Sequence, residues 1–252
     1  MLKDRFPVEY EPEVGGRIGL CPRGAAEATW FQVEPCVVLH TLNAHESADG
    51  QRVTLTALRS QPSGEASFIE QYASAFLHEW VLDLSTGKAV ERALSDVPLE
   101  FPAVDGRMVG LDARYGYAIT PSSAGGPNRY GPPFEGILID GVVKMDLHDG
   151  RVASKWTAPD GFHLVSEPSF VPRLKSEPVE GDEGYILAFV CAAAGSAAAS
   201  GEVQEAADGR AARLYVLDAT TMEEVAVLSL PGAVPYGLHS CWLPYDELPS
   251  PR

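Results

Sequence analysis

Basic residues are scarce in this chain, 19 Lys and Arg against 35 Asp and Glu, which leaves a formal net charge of −16 over 252 residues. Affinity for a phosphate backbone comes largely from Lys and Arg displacing counterions, and no basic cluster appears, so nucleic acid is excluded as a partner. Long apolar runs are missing too. None approaches the roughly 20 residues that a membrane-spanning helix needs. The start from Met1 to Arg5 reads as neither signal nor transit peptide, and the sequence predicts a soluble chain. Cysteine is sparse: Cys21, Cys36, Cys191 and Cys241 form no CxxC pair. Cys36 and Cys241 sit in apolar runs and are expected to be reduced thiols of the core. The common catalytic templates are absent as well. There is no Gly-rich phosphate loop, nucleophile elbow, HExxH or thiolate cluster.

What is present is mostly strand. Hydrophobic residues make up 45% of the chain, enough for a sizeable core in one large domain or two small ones. Gly16 to Arg23 gives a short strand broken by Pro22. Residues 30 to 42 form an apolar strand that delivers His40 into a polar turn, and Arg52 to Arg59 alternates like the strand pairing back on it around Gly50. Phe76 to Leu84 and Gly136 to Asp140 read as further strands. The one helical spacing, Phe68, Ile69, Tyr72 and Phe76, predicts a short helix within 64 to 77. Three stretches resemble one another: a hydrophobic strand, then Asp83, Asp146 or Asp218, a tight polar turn, and a return strand beginning near Val90, Val152 or Val225. The Asp side chain can bond turn amides, and Gly87 and Gly150 tolerate positive φ. An interval of roughly 60 to 70 residues fits one four-stranded propeller blade with its connections. A generic antiparallel sandwich is the alternative. Residues 191–212 are Ala/Ser-rich and read as a low-complexity surface insertion between two paired strands.

The candidate chemistry lies in six histidines and several carboxylates. His40 ends an apolar strand, and His239 lies in an apolar, Gly-bent run from Val234 to Leu243 that reads as a strand. His148 falls in a hairpin turn and is expected to be solvated, while His45, His78 and His163 are ambiguous. Glu100 and Glu167 each sit between apolar residues and beside prolines. A buried carboxylate needs a donor, because burying it unpaired costs several kcal/mol. That donor is either a set of backbone N–H groups at a turn or the outer ring nitrogen of a metal-bound histidine, which would fix the tautomer and raise ligand basicity.

Several motifs, in order, resemble the carotenoid cleavage oxygenase family: Arg17 to Arg23, Trp30 to Cys36 with His40 to Ala44, Glu100 to Pro102, Glu167 to Pro172, Leu217 to Thr220, and Pro235 to His239. The resemblance implies a seven-bladed β-propeller whose axis holds Fe(2+) on four histidines, three of them braced by glutamates. Carried over, His40 and His239 would be metal ligands, with Glu100 bracing His40 and Glu167 bracing His239. The resemblance also implies a carotenoid or apocarotenoid substrate and O2, and a plastid or cytoplasmic location. Family members are about twice as long, so residues 1–252 are expected to be the C-terminal portion of such a propeller, roughly four blades, and inactive alone. The other two histidines, and any peripheral membrane contact, would lie in the missing N-terminal half. Phe101 and Leu238 are candidates to line the substrate tunnel, although regular strand alternation would turn them away from their neighbours and into core packing. Two other classes compete. One is a truncated, non-catalytic paralogue acting as a lipophile-binding or interaction module, and the other is an unrelated propeller that binds proteins.

Overall fold

A computed structural model describes residues 10–61, 75–121, 139–174, 178, 180–192, 211–235, 237 and 239–244. The chain is all-β. β1 (Gly16–Leu20) and β2 (Thr29–Val33) pair antiparallel as a ribbon. β3 (Val37–Glu46), β4 (Arg52–Ser60), β5 (Phe76–Asp83) and β6 (Lys88–Pro98) form a four-stranded antiparallel sheet in chain order. β7 (Glu100–Ala103), β8 (Tyr115–Pro121), β9 (Ile139–Asp146) and β10 (Val152–Thr157) repeat that plan. In the third sheet the first strand is split: β11 (Phe162–Leu164) and β12 (Ser169–Pro172) both pair with β13 (Gly184–Ala192), followed by β14 (Ala212–Asp218) and β15 (Glu224–Leu230). Repeated four-stranded meanders are the plan of propeller blades. The helical segments among the described residues are two 3-10 turns, at Pro12–Val14 and Gly106–Met108. None is long and apolar enough to cross a membrane.

The three Asp turns form as their sequence dictates. Asp83 accepts the Ser85 and Thr86 amides, Asp146 that of His148, and Asp218 those of Thr220 and Thr221. The Ser85 hydroxyl and Thr86 amide hold the Asp83 carboxyl down to about 2. Gly87 and Gly150 have φ of +67° and +75°. His148 is solvated in its turn, as expected.

The core lies between successive sheets. Phe31 of β2 packs on Trp80 and Leu82 of β5. Leu58 and Leu77 of the first four-stranded sheet meet Ala118, Val143 and Met145 of the second. Tyr117, Val142 and Trp156 of the second meet Phe170, Ile186, Tyr215 and Leu217 of the third. Polar ties cross the same seam: the Tyr117 hydroxyl donates to the Ala219 carbonyl at 2.9 Å, and buried Lys144 reaches Asp182 at 2.6 Å.

Four expectations are corrected or fall outside view. The helix proposed within 64 to 77 lies mostly outside the described residues, and its end, Phe76 and Leu77, opens β5 instead. Strands β13 and β14 take in Cys191, Ala192 and Ala212 from the ends of the low-complexity segment, and residues 193–210 lie outside the described set. Cys241 is exposed and Cys36 half-buried, whereas Cys191 is the buried thiol. The run from Val234 to Leu243 is no strand where described. Pro235 lacks an amide for a ladder, and the Gly237 amide is spent on the Val165 carbonyl at 2.8 Å.

Candidate functional site

The first two four-stranded units contribute to the site through their first strands, and the third through the break between β11 and β12 and the segment after β15. β3 and β7 are the edges at which the first two sheets begin, and they pack on each other. His40 does not end its strand, as the sequence suggested, but sits inside β3 at a bulge. Val38 pairs with Arg59 and Thr41 with Ala57, so Leu39 and His40 together oppose Leu58 alone; a second irregularity at Leu42 follows at once. A bulge bends a strand and re-aims its side chains. Here it places both Leu39 and His40 on half-buried ground, which strict alternation would forbid.

Glu100 opens β7 and is 2% exposed. Its Oε2 receives two donors, His40 Nδ1 at 2.6 Å and the Phe101 amide at 2.9 Å. Both routes foreseen for a buried carboxylate, an imidazole and a backbone N–H, are therefore in use. Its Oε1 is buried without a hydrogen bond among the described residues. The Glu100 hydrogen bond raises the His40 pKa above its ordinary 6.5, against the opposing effect of burial.

Phe101 breaks the strand pattern. Its φ is +48°, a left-handed value that costs a bulky residue about 1–2 kcal/mol. β7 pairs Glu100 with Ile119 and then Ala103 with Tyr117, so Phe101 and Pro102 form a second bulge. The Glu100 and Phe101 side chains are consequently both buried, which corrects the expectation that alternation turns Phe101 away. Its ring lies 5.0 Å from that of His40 and 5.5 Å from that of His239, centroid to centroid. Leu238, the other tunnel candidate, lies outside the described residues.

Glu167 occupies the break between β11 and β12, and the segment after β15 is laced to that break. Glu167 Oε2 meets His239 Nδ1 at 3.1 Å, and Oε1 accepts the Ser240 amide. The Ser169 and Ser240 hydroxyls bond at 2.8 Å. Glu167 is mostly buried, while His239 remains 65% exposed. The His40 and His239 rings approach edge to face, with centroids 5.4 Å apart. Each imidazole thus spends Nδ1 on a carboxylate, which leaves the Nε2 lone pair as the one that could accept a proton or bind a metal.

The remaining histidines do not join this group. His78 is buried and pairs with Glu91 at 3.2 Å, and His163 is buried in β11. His45 and His148 lie 3.8 and 3.2 Å from the same Asp112 oxygen. Among the described residues no set of three or more His, Cys, Asp or Glu is disposed to hold a metal ion. Two imidazoles fit as part of a ligand set, each anchored at Nδ1 in the manner of metal-bound histidines. Sequence reasoning foresaw backbone donors on the two carboxylates but could not name the Phe101 and Ser240 amides, which have no side-chain signature. It also missed the bulges, for which the irregular apolar spacing of Val37, Val38, Leu39 and Leu42 was the available sign.

A model of the retinal pigment epithelial membrane protein family matches residues 2–244. The chain is 27% identical to a carotenoid cleavage oxygenase of Mycobacterium tuberculosis, over 96% of this chain and 45% of that protein. It is 28% identical to carotenoid 9,10(9',10')-cleavage dioxygenase 1 of Pisum sativum, over 98% of this chain and 45% of that one. Thus the chain spans about half the length of these curated relatives. Among solved structures it is similar to cobalt-substituted Synechocystis ACO, with a TM-score of 0.68 and 22% identity over 92% of this chain and 44% of that one. That likeness is one of fold.

Proposed function

Because this chain belongs to the retinal pigment epithelial membrane protein family, we propose that it is part of a non-haem iron oxygenase that cleaves a double bond of a carotenoid or apocarotenoid. His40 and His239 are two of the ligands of Fe(2+), and Glu100 and Glu167 are their braces. The observation that carries this reading is the pair of carboxylate-anchored imidazoles with rings 5.4 Å apart. The three meander sheets are consecutive blades of a seven-bladed propeller, and the other two histidines belong to the part of the family's length that this chain does not span.

When bound, Fe(2+) would supply the chemistry with O2. The chain's own residues hold and orient. Glu100 and Glu167 keep a proton on each Nδ1, so both rings present Nε2 in one tautomer. Phe101, buried beside both imidazoles, keeps their surroundings apolar. A lipophile-binding module without iron has no use for two carboxylates aimed at two histidines, which favours the oxygenase.

The test is an anaerobic Fe(2+) titration of the chain followed by calorimetry. Weak binding is expected, lost in His40→Ala and in His239→Ala, and about 10- to 100-fold weaker in Glu167→Gln. Binding unaltered in both histidine variants would sink the assignment. Alone, the chain should release no aldehyde from an apocarotenoid. Grafted in place of the matching span of the M. tuberculosis relative, it should support cleavage that either histidine substitution abolishes.

A further inference from the structure

Phe101 combines three features that core packing alone does not require. Its backbone is left-handed, its amide is turned back onto the carboxylate of the preceding residue, and its ring contacts both imidazoles. We propose that Phe101 is a positioning residue, whose left-handed backbone aims Glu100 at His40 and whose ring backs both His40 and His239 so that their Nε2 edges converge. The role rests on the two-histidine reading above and extends it to a residue outside the two histidine–carboxylate pairs.

The backbone acts through its amide. In a regular strand the Phe101 N–H would lie in the plane of the sheet, out of reach of the preceding side chain. At φ of +48° it donates instead to Glu100 Oε2 at 2.9 Å, the same oxygen that receives His40 Nδ1 at 2.6 Å. That short loop holds the carboxylate's rotation independently of the histidine. Left-handed geometry in a bulky residue persists only where its surroundings over-determine it. Here a 3% exposed ring and the carboxylate bond do so.

The ring acts through its contacts with both imidazoles. His40 to Phe101, Phe101 to His239 and His40 to His239 are 5.0, 5.5 and 5.4 Å, a closed triangle within the 4.5–7 Å range of aromatic pairs. His239 needs such a support more than His40 does, since its side chain is 65% exposed. With the phenyl behind them, neither imidazole can swing toward that side.

The experiment is long-range 1H–15N correlation on the metal-free chain labelled at histidine, which reports each ring's tautomer. The wild type should show a single Nδ1–H form at both His40 and His239, with nuclear Overhauser contacts from the Phe101 ring to each. Phe101→Gly keeps the left-handed backbone without the ring. It should leave His40 in its single form and turn His239 into a mixture. Phe101→Val, β-branched and averse to positive φ, should disturb both. If both variants fold and both histidines keep the wild-type tautomer, or if the wild type lacks the phenyl contacts, the proposal is overturned. The wild-type contacts decide the matter should a variant fail to fold. A parallel Co2+ titration should show affinity about tenfold weaker in Phe101→Gly. Tautomers that respond as stated in a chain that binds no Co2+ would uphold the positioning and refute the metal reading.

Discussion

His40 and His78 show how opposite surroundings move one side chain in opposite directions. The hydrogen bond from Glu100 holds the His40 pKa above 6.5, and burial aided by Arg59 holds that of His78 below it, despite Glu91 nearby. The signs for stability follow. His40 stabilises the metal-free fold fully below pH 6.5, and that contribution fades as pH rises through its raised folded value. His78 contributes above pH 6.5, and its contribution is lost as pH falls through its lowered folded value. An NMR titration of the metal-free chain should place the His40 midpoint above that of His78, with 6.5 between them. The reverse order would contradict the environments described. Bound metal would compete with protons at His40 Nε2, so metal affinity should fall on acidification.

Among elements, the Asp turns were legible in the sequence because what they need is local: an acceptor, an amide two residues on and, four residues after Asp83 and Asp146, a glycine, whose place after Asp218 is taken by Met222 at φ of +64°. Yet two turns with the same chemistry differ in context. A Cβ added at Gly87 meets nothing within 4 Å, whereas one added at Gly150 would fall 1.9 Å from the Leu94 carbonyl oxygen of β6. Gly87→Ala should therefore cost only backbone strain, about 1 kcal/mol. Gly150→Ala must also push the turn off the first sheet and should cost on the order of 3 kcal/mol or more. Urea unfolding of the two variants measures the difference, and equal losses would show that the turn does not bear on β6. The bulges at His40 and Phe101 could not be placed from the sequence, where irregular apolar spacing in β3 was at most a sign of one, because register is decided by the partner strand. The absence of a strand from Val234 to Leu243 has the same origin: its amides are claimed by Val165 and Glu167, more than 70 residues away in sequence. The pairing of His40 with Glu100 and of His239 with Glu167 was legible only through family resemblance, since nothing in the local sequence of either residue names the other.

At the scale of the molecule, sheets two and three are joined by a buried charge pair as well as by apolar packing. Lys144 Nζ sits 2.6 Å from Asp182, 2.9 Å from the Thr220 carbonyl and 3.9 Å from the centre of the Tyr115 ring. Removing one partner strands the other, so Asp182→Ala should lower stability by about 3–5 kcal/mol. Lys144→Met combined with Asp182→Leu should cost much less than the sum of the single changes. Additive losses in chemical denaturation would mean that the pair is not coupled.

The two histidine–carboxylate pairs also differ in when they can form. His40 lies 60 residues from Glu100, in adjacent sheets, whereas Glu167 waits 72 residues for His239, which follows β15. Loop-closure entropy must be spent before such distant contacts return anything. On a growing chain the first pair can close once two sheets exist, while the second must await the completed third sheet and the segment beyond it. The two pairs that this chain supplies are thus completed in two stages, the second late in folding.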